Sequence, residues 1–352
     1  MKKLQKFALS AVLGALIGTM AIPATPVIAE TPQDMLVIAN RIDDITTLDV
    51  IRNVYGRLVN FDPLNLDKGY EADLAESWTV SEDGRTITFN IREGVNFHSG
   101  NPVTAEDVEF SLRRVVTLAK TPSFILTQFG FTPENITETI VADGNTLKIT
   151  TDKKYATSFV LNCLTATVGA IVDKKLVMEN EKDGDLGNEW LKTNSAGSGA
   201  YKIVSWKPSE SVTLQSNEDF YLGASAMKRV IVRHIQESAT QRLLLEKGDI
   251  DVARNLNPED VAGITGKEGI SIDSELRGRL MYISLNQNHP ELSKPKVVEA
   301  IKYLIDYKGM QDSFLKGQYR IHQSFLPKTY LGAIDDQPYT LDVEKAKALL
   351  KE

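Results

Sequence analysis

The stretch LAESWTVSEDGRTITFNIREGVNFHSGNPVTAEDVEFSLRRVV, residues 74–116, decides how this chain folds. Residues 86–91 alternate between polar and apolar side chains, as the exposed and buried faces of a β-strand do. The Asp83-Gly84 dipeptide just before them is a common hairpin turn, and Trp78 and Val80 lie on its other side. The pattern predicts two antiparallel strands joined by a tight turn.

A helix is predicted in the second half of the same stretch. Thr104 is a suitable N-cap, and Asp107 three residues later completes a capping box. The apolar side chains that follow recur at helical spacing and would share one buried face: Val108, Leu112, Val115 and Val116. The whole stretch is therefore a strand–turn–strand–loop–helix unit, a packed scaffold that indicates no chemistry by itself.

Composition restricts the class of protein. A chain of 352 residues is too long for one typical core, so two or more lobes are expected. The formal net charge is −7, and it falls to −10 when the three lysines of the first 29 residues are left out. An acidic surface argues against nucleic acid and anionic membranes as partners. Cys163 is the only cysteine, so an intramolecular disulfide is impossible.

The first 29 residues have the three parts of a secretory signal, namely a basic start, an apolar run and small residues before a cleavage site. The apolar run covers residues 7–22. Val27 and Ala29 fit the positions three and one residues before the cut, which predicts a mature chain that begins near Glu30. A membrane anchor is the alternative, but the run is short for a span and two prolines follow it.

Motifs of enzymes are missing from the sequence. The four histidines are scattered, neither HExxH nor GxSxG occurs, and no carboxylate or cysteine cluster has metal-ligand spacing. Residues 195–200 are rich in glycine, but the Lys-Ser/Thr pair of a phosphate-binding loop is absent. We therefore expect a protein that is not an enzyme and that uses no metal or other cofactor.

The sequence resembles the family 5 extracellular solute-binding proteins of ABC importers, which are peptide-, oligopeptide- and nickel-binding periplasmic receptors. The matching features are LAESW at 74–78, the Asp83-Gly84 turn, REGVNFHSG at 92–100 and TAEDVEFSL at 104–112. The resemblance implies an α/β fold of the periplasmic-binding-protein type II kind, with several lobes of mixed sheets and flanking helices. It also implies a periplasmic location, capture of short peptides or a similar solute, and delivery to permease subunits in the inner membrane.

The resemblance also implies a division into lobes that follow the signal at residues 1–29. Residues 30–50 and 195–276 would form a discontinuous lobe I. Residues 51–194 would form lobe II, and residues 277–352 would begin lobe III. Lobe I is thus expected to be interrupted by the whole of lobe II.

In the family the first strand opens onto the ligand cleft, and here that strand covers residues 36–39. Asp43, Asp44 and Thr46 follow it, so the resemblance makes them candidates for ligand contact. A solvated acidic turn is the alternative interpretation of these three residues.

A second strand near the ligand is expected at residues 281–286, MYISLN, which alternate between apolar and more polar side chains. Family members carry a comparable strand close to their ligand, which makes Tyr282 and Asn286 further candidates. A tyrosine in the core and an asparagine in a turn are the alternatives.

The last predicted helix begins after Asp342 and carries apolar residues at 343, 346, 349 and 350. Family members continue well beyond this point and have additional residues after Asp49, so we expect an incomplete third lobe with poorly covered apolar helix faces. Two functions stay open, a working peptide receptor and a non-functional truncated copy of one. A nickel receptor is a further alternative, which the lack of a His/Cys cluster disfavours.

Overall fold

The computed structural model describes residues 31–40, 48–62, 65, 68–274, 276, 278–330 and 332–351, with the side chains of residues 48 and 49 excepted. The predicted signal lies outside this part. The fold is mixed α/β, with two main sheets and helices packed against them. None of the helices in the described part combines the length and the apolar composition that a membrane span needs.

The elements are numbered along the chain. The strands are β1 (Met35–Asn40), β2 (Val59–Phe61), β3 (Tyr70–Ala72), β4 (Ala75–Val80), β5 (Thr86–Ile91), β6 (Ile140–Asp143), β7 (Thr146–Thr150), β8 (Tyr201–Lys207), β9 (Ser211–Ser216), β10 (Arg229–His234) and β11 (Val252–Ala253). The helices are α1 (Leu48–Val54), α2 (Ala105–Leu118), α3 (Phe124–Thr127), α4 (Ile136–Thr139), α5 (Thr157–Leu164), α6 (Lys174–Glu179), α7 (Ser238–Lys247), α8 (Pro258–Ile264), α9 (Pro295–Tyr303), α10 (Tyr307–Asp312) and α11 (Val343–Leu349).

A four-stranded antiparallel sheet has the order β4-β5-β7-β6. Trp78 lies opposite Phe89, so the predicted hairpin is confirmed. Gly84 has a φ of 70° in its turn, a backbone conformation that glycine adopts without steric cost. The side chains of Ile87, Phe89 and Ile91 are all buried, which places the predicted apolar face of β5 in the core.

Helix α2 packs against this sheet and begins with the predicted capping box. The Thr104 backbone N–H donates to Asp107 Oδ2 at 2.9 Å, and the Asp107 backbone N–H donates to Thr104 Oγ1 at 3.3 Å. Caps of this kind contribute about 0.5–2 kcal/mol. The four predicted apolar positions all reach the core that α2 shares with the sheet: Val108, Leu112 and Val116 fully, and Val115 in part.

The other main sheet has five strands in the order β11-β1-β10-β9-β8. Strand β1 runs parallel to β10 and β11, whereas β9 and β8 add antiparallel strands on one side. Val50 and Val54 of α1 join its buried residues in a second core. Because β1 precedes the four-stranded sheet in the chain and its partners follow it, that sheet is an insertion into this one.

Two chain segments connect the sheets and run side by side. The outgoing segment, residues 54–58, leaves α1, and the returning segment, residues 195–200, leads into β8. The Gly199 N–H donates to the Val54 carbonyl oxygen at 2.8 Å. We call these two segments together the crossover.

Glycine is required in the crossover because the two backbones approach closely. A Cβ atom on Gly197 would lie 2.0 Å from the carbonyl oxygen of Val54, and one on Gly199 would lie 2.5 Å from that of Asn53. Both distances are far shorter than a van der Waals contact. The glycine-rich composition of residues 195–200 is therefore explained by the packing of backbone against backbone.

His98, in the loop between β5 and α2, holds the returning segment in place. Its backbone N–H donates to the Gly197 carbonyl oxygen at 2.8 Å, and its Nε2 lies 2.9 Å from the carbonyl oxygen of Gly199. A carbonyl oxygen can only accept a hydrogen bond, so Nε2 carries the proton. The buried Nδ1 carries no proton and has no hydrogen-bond partner. Burial lowers the pKa of His98 because it disfavours the charged imidazolium.

Helices α9 and α11 pack against each other in the last part of the chain. Ala300 and Tyr303 meet Ala346 and Leu349 in a small core of their own. Asp342 Oδ1 accepts a hydrogen bond from the Lys345 backbone N–H at 2.9 Å, which confirms the predicted N-cap of α11.

One expectation for this region is wrong. Residues 281–286 run as irregular chain, because an alternating pattern forms a strand only beside a pairing neighbour, and none of the described strands pairs with them. The apolar side chains of residues 281 and 283 are 54% and 65% exposed. Helix α9 ends at Tyr303, and Asp306 caps the next helix, α10.

The substitution Gly197→Ala is expected to lower the free energy of unfolding by about 3 kcal/mol or more, because the new Cβ would overlap a backbone oxygen of the crossover. Urea unfolding followed by circular dichroism measures the loss. Gly184→Ala is the control, since Gly184 has a φ of 77° and open space around it, and backbone strain alone should cost about 1–2 kcal/mol. Equal losses in the two variants would contradict the close packing.

Lowering the pH from 7.5 to 5.5 is expected to destabilise the protein through His98. The pKa of His98 is lower in the folded than in the unfolded chain, so its contribution is complete above the unfolded pKa of about 6.5 and is lost as the pH falls towards the folded pKa. In His98→Gln, which keeps a donor for Gly199, the loss of unfolding free energy over this range should be smaller. Replacing the exposed His289 by glutamine gives the control variant.

Candidate ligand-binding site

Three parallel strands of the five-stranded sheet end at the same edge. Strands β1, β10 and β11 finish at Asn40, His234 and Ala253, and Asn40 lies directly beside His234. In open α/β sheets, ligands bind outside the carboxyl ends of the parallel strands. We call Asn40 together with residues 234–237 and 253–257 the carboxyl edge, and we regard it as the candidate site.

Two asparagine amides meet at the carboxyl edge. Asn255 Nδ2 donates to Asn40 Oδ1 at 3.1 Å. Asn255 has a φ of 65°, in the left-handed region where asparagine is several-fold enriched over most other residues. The carbonyl oxygen of Asn40 accepts a hydrogen bond from the Ile235 N–H at 3.1 Å. The last residue of β1 is thus held through both its backbone and its side chain.

A buried glutamine fixes the loops that leave β10 and β11. Gln241 of α7 is 2% exposed. Its Nε2 donates to the Ile235 carbonyl oxygen at 2.7 Å, and its Oε1 accepts from the Arg254 backbone N–H at 3.0 Å. Because one amide side chain bonds to both loops, their backbones have a defined position relative to each other.

The first turns of helices α7 and α8 are also joined. Ser238 Oγ donates to Asp260 Oδ2 at 2.5 Å and accepts from the Asn257 backbone N–H at 2.9 Å. Asn257 caps α8, because its Oδ1 accepts from the Asp260 backbone N–H at 2.8 Å. These bonds give the far side of the carboxyl edge a rigid frame.

A segment from the last part of the chain approaches the same edge. Gln318, which follows α10, donates a hydrogen bond from its side-chain amide to the carbonyl oxygen of Leu256. Nearby, Gln311 Oε1 accepts from the Ile321 backbone N–H at 2.8 Å. The bond to Leu256 brings a residue from the last part of the chain into contact with the carboxyl edge.

The structure describes two of the five residues that were predicted to contact ligand. Asp43, Asp44 and Thr46 lie outside the described residues. Tyr282 is 79% exposed on irregular chain, and Asn286 is exposed and closes a turn through its side-chain and carbonyl oxygens. None of the described hydrogen bonds joins Tyr282 or Asn286 to the carboxyl edge. All five remain predictions.

Sequence reasoning missed Asn255, Gln241 and Gln236 as members or supports of the site. Asn255 comes shortly after Ile250, Val252 and Ala253 and precedes an Asn-Pro helix start, so its position after a strand was a usable signal. Gln241 gave no such signal. Its amide is buried and bonds to two loops only because the tertiary structure brings those loops together.

The carboxyl edge is chemically a set of hydrogen-bonding groups. It contains the exposed side-chain amides of Asn255 and Gln236 and the buried amide of Asn40, and Gln236 Nε2 lies 3.0 Å from His234 Nε2. Amides offer both donors and acceptors, which suits a polar ligand. Within the described ranges no three His, Cys, Asp or Glu side chains gather as a metal site would require.

Comparison with known proteins finds relatives along most of the chain. Residues 69–352 match the family model described as bacterial extracellular solute-binding proteins, family 5 middle. The probable D,D-dipeptide-binding periplasmic protein DdpA of Escherichia coli K12 is 30% identical over 334 residues, which cover 91% of this chain and 62% of that protein. Heme-binding protein A of Haemophilus influenzae is 28% identical over 322 residues, covering 86% and 56%. The chain thus spans about 60% of the length of these relatives.

A solved structure shows the same fold. The ABC transporter-associated periplasmic binding protein DppA from Helicobacter pylori, in complex with the peptide STSA, has a TM-score of 0.78 at 26% identity and covers 90% of this chain and 65% of that one. The expected fold of the periplasmic-binding-protein type II kind is confirmed. The matching family consists of solute-binding proteins and is not a family of enzymes. Since its model covers most of the chain, this protein belongs to family 5 of the bacterial extracellular solute-binding proteins.

Proposed function

We propose that this chain is the solute-binding component of an ABC import system, that it works in the periplasm, and that it captures short peptides for a membrane permease. The observation that carries the proposal is the carboxyl edge, with its paired asparagine amides, in a member of this family. Relatives named for dipeptide binding and a similar structure solved with a peptide support the same ligand class.

The chemistry of the carboxyl edge suits a peptide of variable sequence. Every residue of a peptide except proline carries one backbone N–H donor and one carbonyl acceptor, whatever its side chain. The side-chain amide of Asn255 carries an acceptor and two donor hydrogens, one of which is bonded to Asn40. A site of this kind binds through the peptide backbone and tolerates different side chains.

The predicted contact residues complete this proposal. Asp43 and Asp44 come soon after Asn40 in the chain, and a carboxylate there would pair with the ammonium group at the peptide's N-terminus. Thr46 would add a hydroxyl. Tyr282 and Asn286 would contact the peptide from the opposite side after closure.

We also propose the lobe division expected from the sequence. Lobe I, residues 30–50 and 195–276, would carry the five-stranded sheet, and lobe II, residues 51–194, the four-stranded one. Lobe III would begin at residue 277, and hinge closure of lobe III on lobe I would cover the ligand. The hydrogen bond from Gln318 to Leu256 supports contact between these two parts.

A copy of such a receptor that no longer binds solute is the second candidate. Among the described residues, twelve of the twenty-one large apolar side chains that are exposed lie at residues 276–350, and Phe325 is 94% exposed. Exposed apolar surface of this extent is unusual for a soluble monomer. A third lobe with so much uncovered surface would also close less effectively over a ligand.

Thermal unfolding of the purified chain without its signal, in the presence of peptides, distinguishes the two candidates. Pools of dipeptides and of tetra- to hexapeptides should raise the midpoint by about 4 °C at a hundredfold excess over Kd, because the ligand binds only the folded state. Free amino acids and a nickel–histidine complex serve as comparisons. A cooperative transition that no peptide pool shifts would favour the non-binding copy.

Removing an amide from the carboxyl edge should weaken peptide binding. Asn255→Gly keeps the left-handed backbone accessible but deletes the partner of Asn40, and we expect Kd to rise about tenfold. Calorimetric titration with the best-binding peptide measures the change. Asn162→Ala, which alters an exposed asparagine of α5, should leave Kd unchanged. An unaltered Kd in Asn255→Gly would exclude this edge as the binding site.

The proposed export has a separate test. Production of the whole chain in Escherichia coli should give a periplasmic protein whose N-terminal residue is Glu30. Ala29→Arg should block processing, because a small side chain is needed directly before the cut, whereas Ile28→Arg adds the same charge at a tolerant position. N-terminal sequencing and fractionation give the result. Processing of the Ala29→Arg variant at the same bond would place the cleavage site elsewhere.

A further inference from the structure

Buried polar atoms that lack a well-formed hydrogen bond are concentrated at the crossover. In the part of the chain that the structure describes, they belong to Arg57, His98, Ser195, Ser198 and Ser216. Three of these residues are in the crossover itself, His98 is hydrogen-bonded to it, and Ser216 pairs with the first residue of β8, next to it. Buried groups of this kind usually have a partner in water or a bound ion.

Arg57 is the residue among them for which a partner matters most. It is 1% exposed, and both Nε and Nη2 of its guanidinium lack a hydrogen-bond acceptor. Its backbone N–H donates to Asp73 Oδ2 at 3.1 Å, but none of the described hydrogen bonds joins the guanidinium to that carboxylate. Burying a cation costs free energy when its N–H donors have no acceptor, unless a bound group accepts hydrogen bonds from them.

Among the described residues, the charges around Arg57 do not balance. Asp73 is the carboxylate beside it, and the Tyr221 hydroxyl donates to Asp73 Oδ1. Arg92 brings a second guanidinium, since its Nε donates to the Asp73 carbonyl oxygen at 3.1 Å and its side chain lies over the Tyr221 ring. Burial and the Asp73 charge raise the pKa of Tyr221, which is therefore neutral. In this part of the structure the guanidinium groups of Arg57 and Arg92 thus lie around one carboxylate, that of Asp73, and Arg52 adds a third guanidinium near Arg57.

We propose that the crossover binds a small monovalent anion of the halide class, which accepts hydrogen bonds from Nε and Nη2 of Arg57 and from the hydroxyl of Ser198. Ser198 Oγ lies 2.8 Å from the position that a Cβ atom on Gly56 would take, which puts it beside the residue preceding Arg57. Guanidinium and hydroxyl groups are both hydrogen-bond donors, as an anion requires.

The size and charge of the occupant follow from the site. Water would accept from the open donors but would not compensate the excess positive charge. A peptide carboxylate would compensate it, but a chain of several residues cannot reach a side chain that is 1% exposed. A halide carries the compensating negative charge and is small enough to reach the buried guanidinium. The site is separate from the carboxyl edge, so the inference does not depend on the proposed peptide binding.

Crystals grown from the chain without its signal, soaked in sodium bromide, give the first test. The expected result is an anomalous bromine peak within hydrogen-bond distance of Arg57 Nε or Nη2. Density for water alone at that position, without an anomalous peak, would overturn the proposal.

Thermal unfolding at constant ionic strength gives the second test. Replacing sodium methanesulfonate, whose anion is too large for the site, by 200 mM sodium chloride should raise the midpoint by about 2 °C. Ser198→Ala and Arg57→Gln should reduce or abolish the chloride effect. Ser195→Ala is the matched control, because Ser195 is an equally small crossover hydroxyl that lies beside Tyr55, and it should keep the full effect.

The two tests are read together. A bromine peak with no chloride effect on the midpoint would mean an adventitious ion only and would overturn the proposal. An equal chloride effect on the midpoint in wild type, Ser198→Ala and Ser195→Ala would also overturn the proposal. If Arg57→Gln fails to fold, the wild-type crystal and the two serine variants still decide the question.

Discussion

The contact on which the structure depends is the crossover, where the segments that leave and re-enter the five-stranded sheet lie backbone against backbone. The distance from a Cβ on Gly197 to the Val54 oxygen would be only 2.0 Å, so the two chains cannot separate by the width of a methyl group without losing the Gly199–Val54 hydrogen bond. His98 fixes the returning segment from the other side. Both chain connections between the two sheets run through this contact, where glycine lets the two backbones approach closely.

Local elements of the fold could be predicted well from the sequence. The hairpin around Gly84, the capping box of Thr104 and the cap of Asp342 depend on residues within a few positions of one another, so propensity and pattern suffice. The failures depend on distant partners. Residues 281–286 alternate as a strand should, but a strand also needs a neighbour to pair with, and the pattern does not supply one. The need for glycine at 197 was likewise invisible, since it arises from a helix end some 140 positions earlier in the chain.

The candidate site was less predictable than the fold for the same reason. Family resemblance pointed to Asp43, Asp44 and Thr46, which follow the first strand, but it gave no indication of Asn255 or Gln241. Those two residues reach the site because β1 pairs in parallel with strands that come much later in the chain. Gln241 then bridges two loops whose residues are unrelated in sequence. Parallel pairing of this type joins remote segments, and single-sequence patterns carry little information about it.

The position of β1 between β10 and β11 has a consequence for the order in which the molecule assembles. The first strand to be synthesised has no sheet partner until residues 229–253 have also been made, whereas the inserted four-stranded sheet and α2 contain all their pairing partners within residues 75–150. The interior insertion can therefore acquire its core first, and the N-terminal strand waits as an unpaired, apolar segment. Closing so long a loop costs conformational entropy and is therefore slow, which leaves time for a nascent chain to remain unfolded.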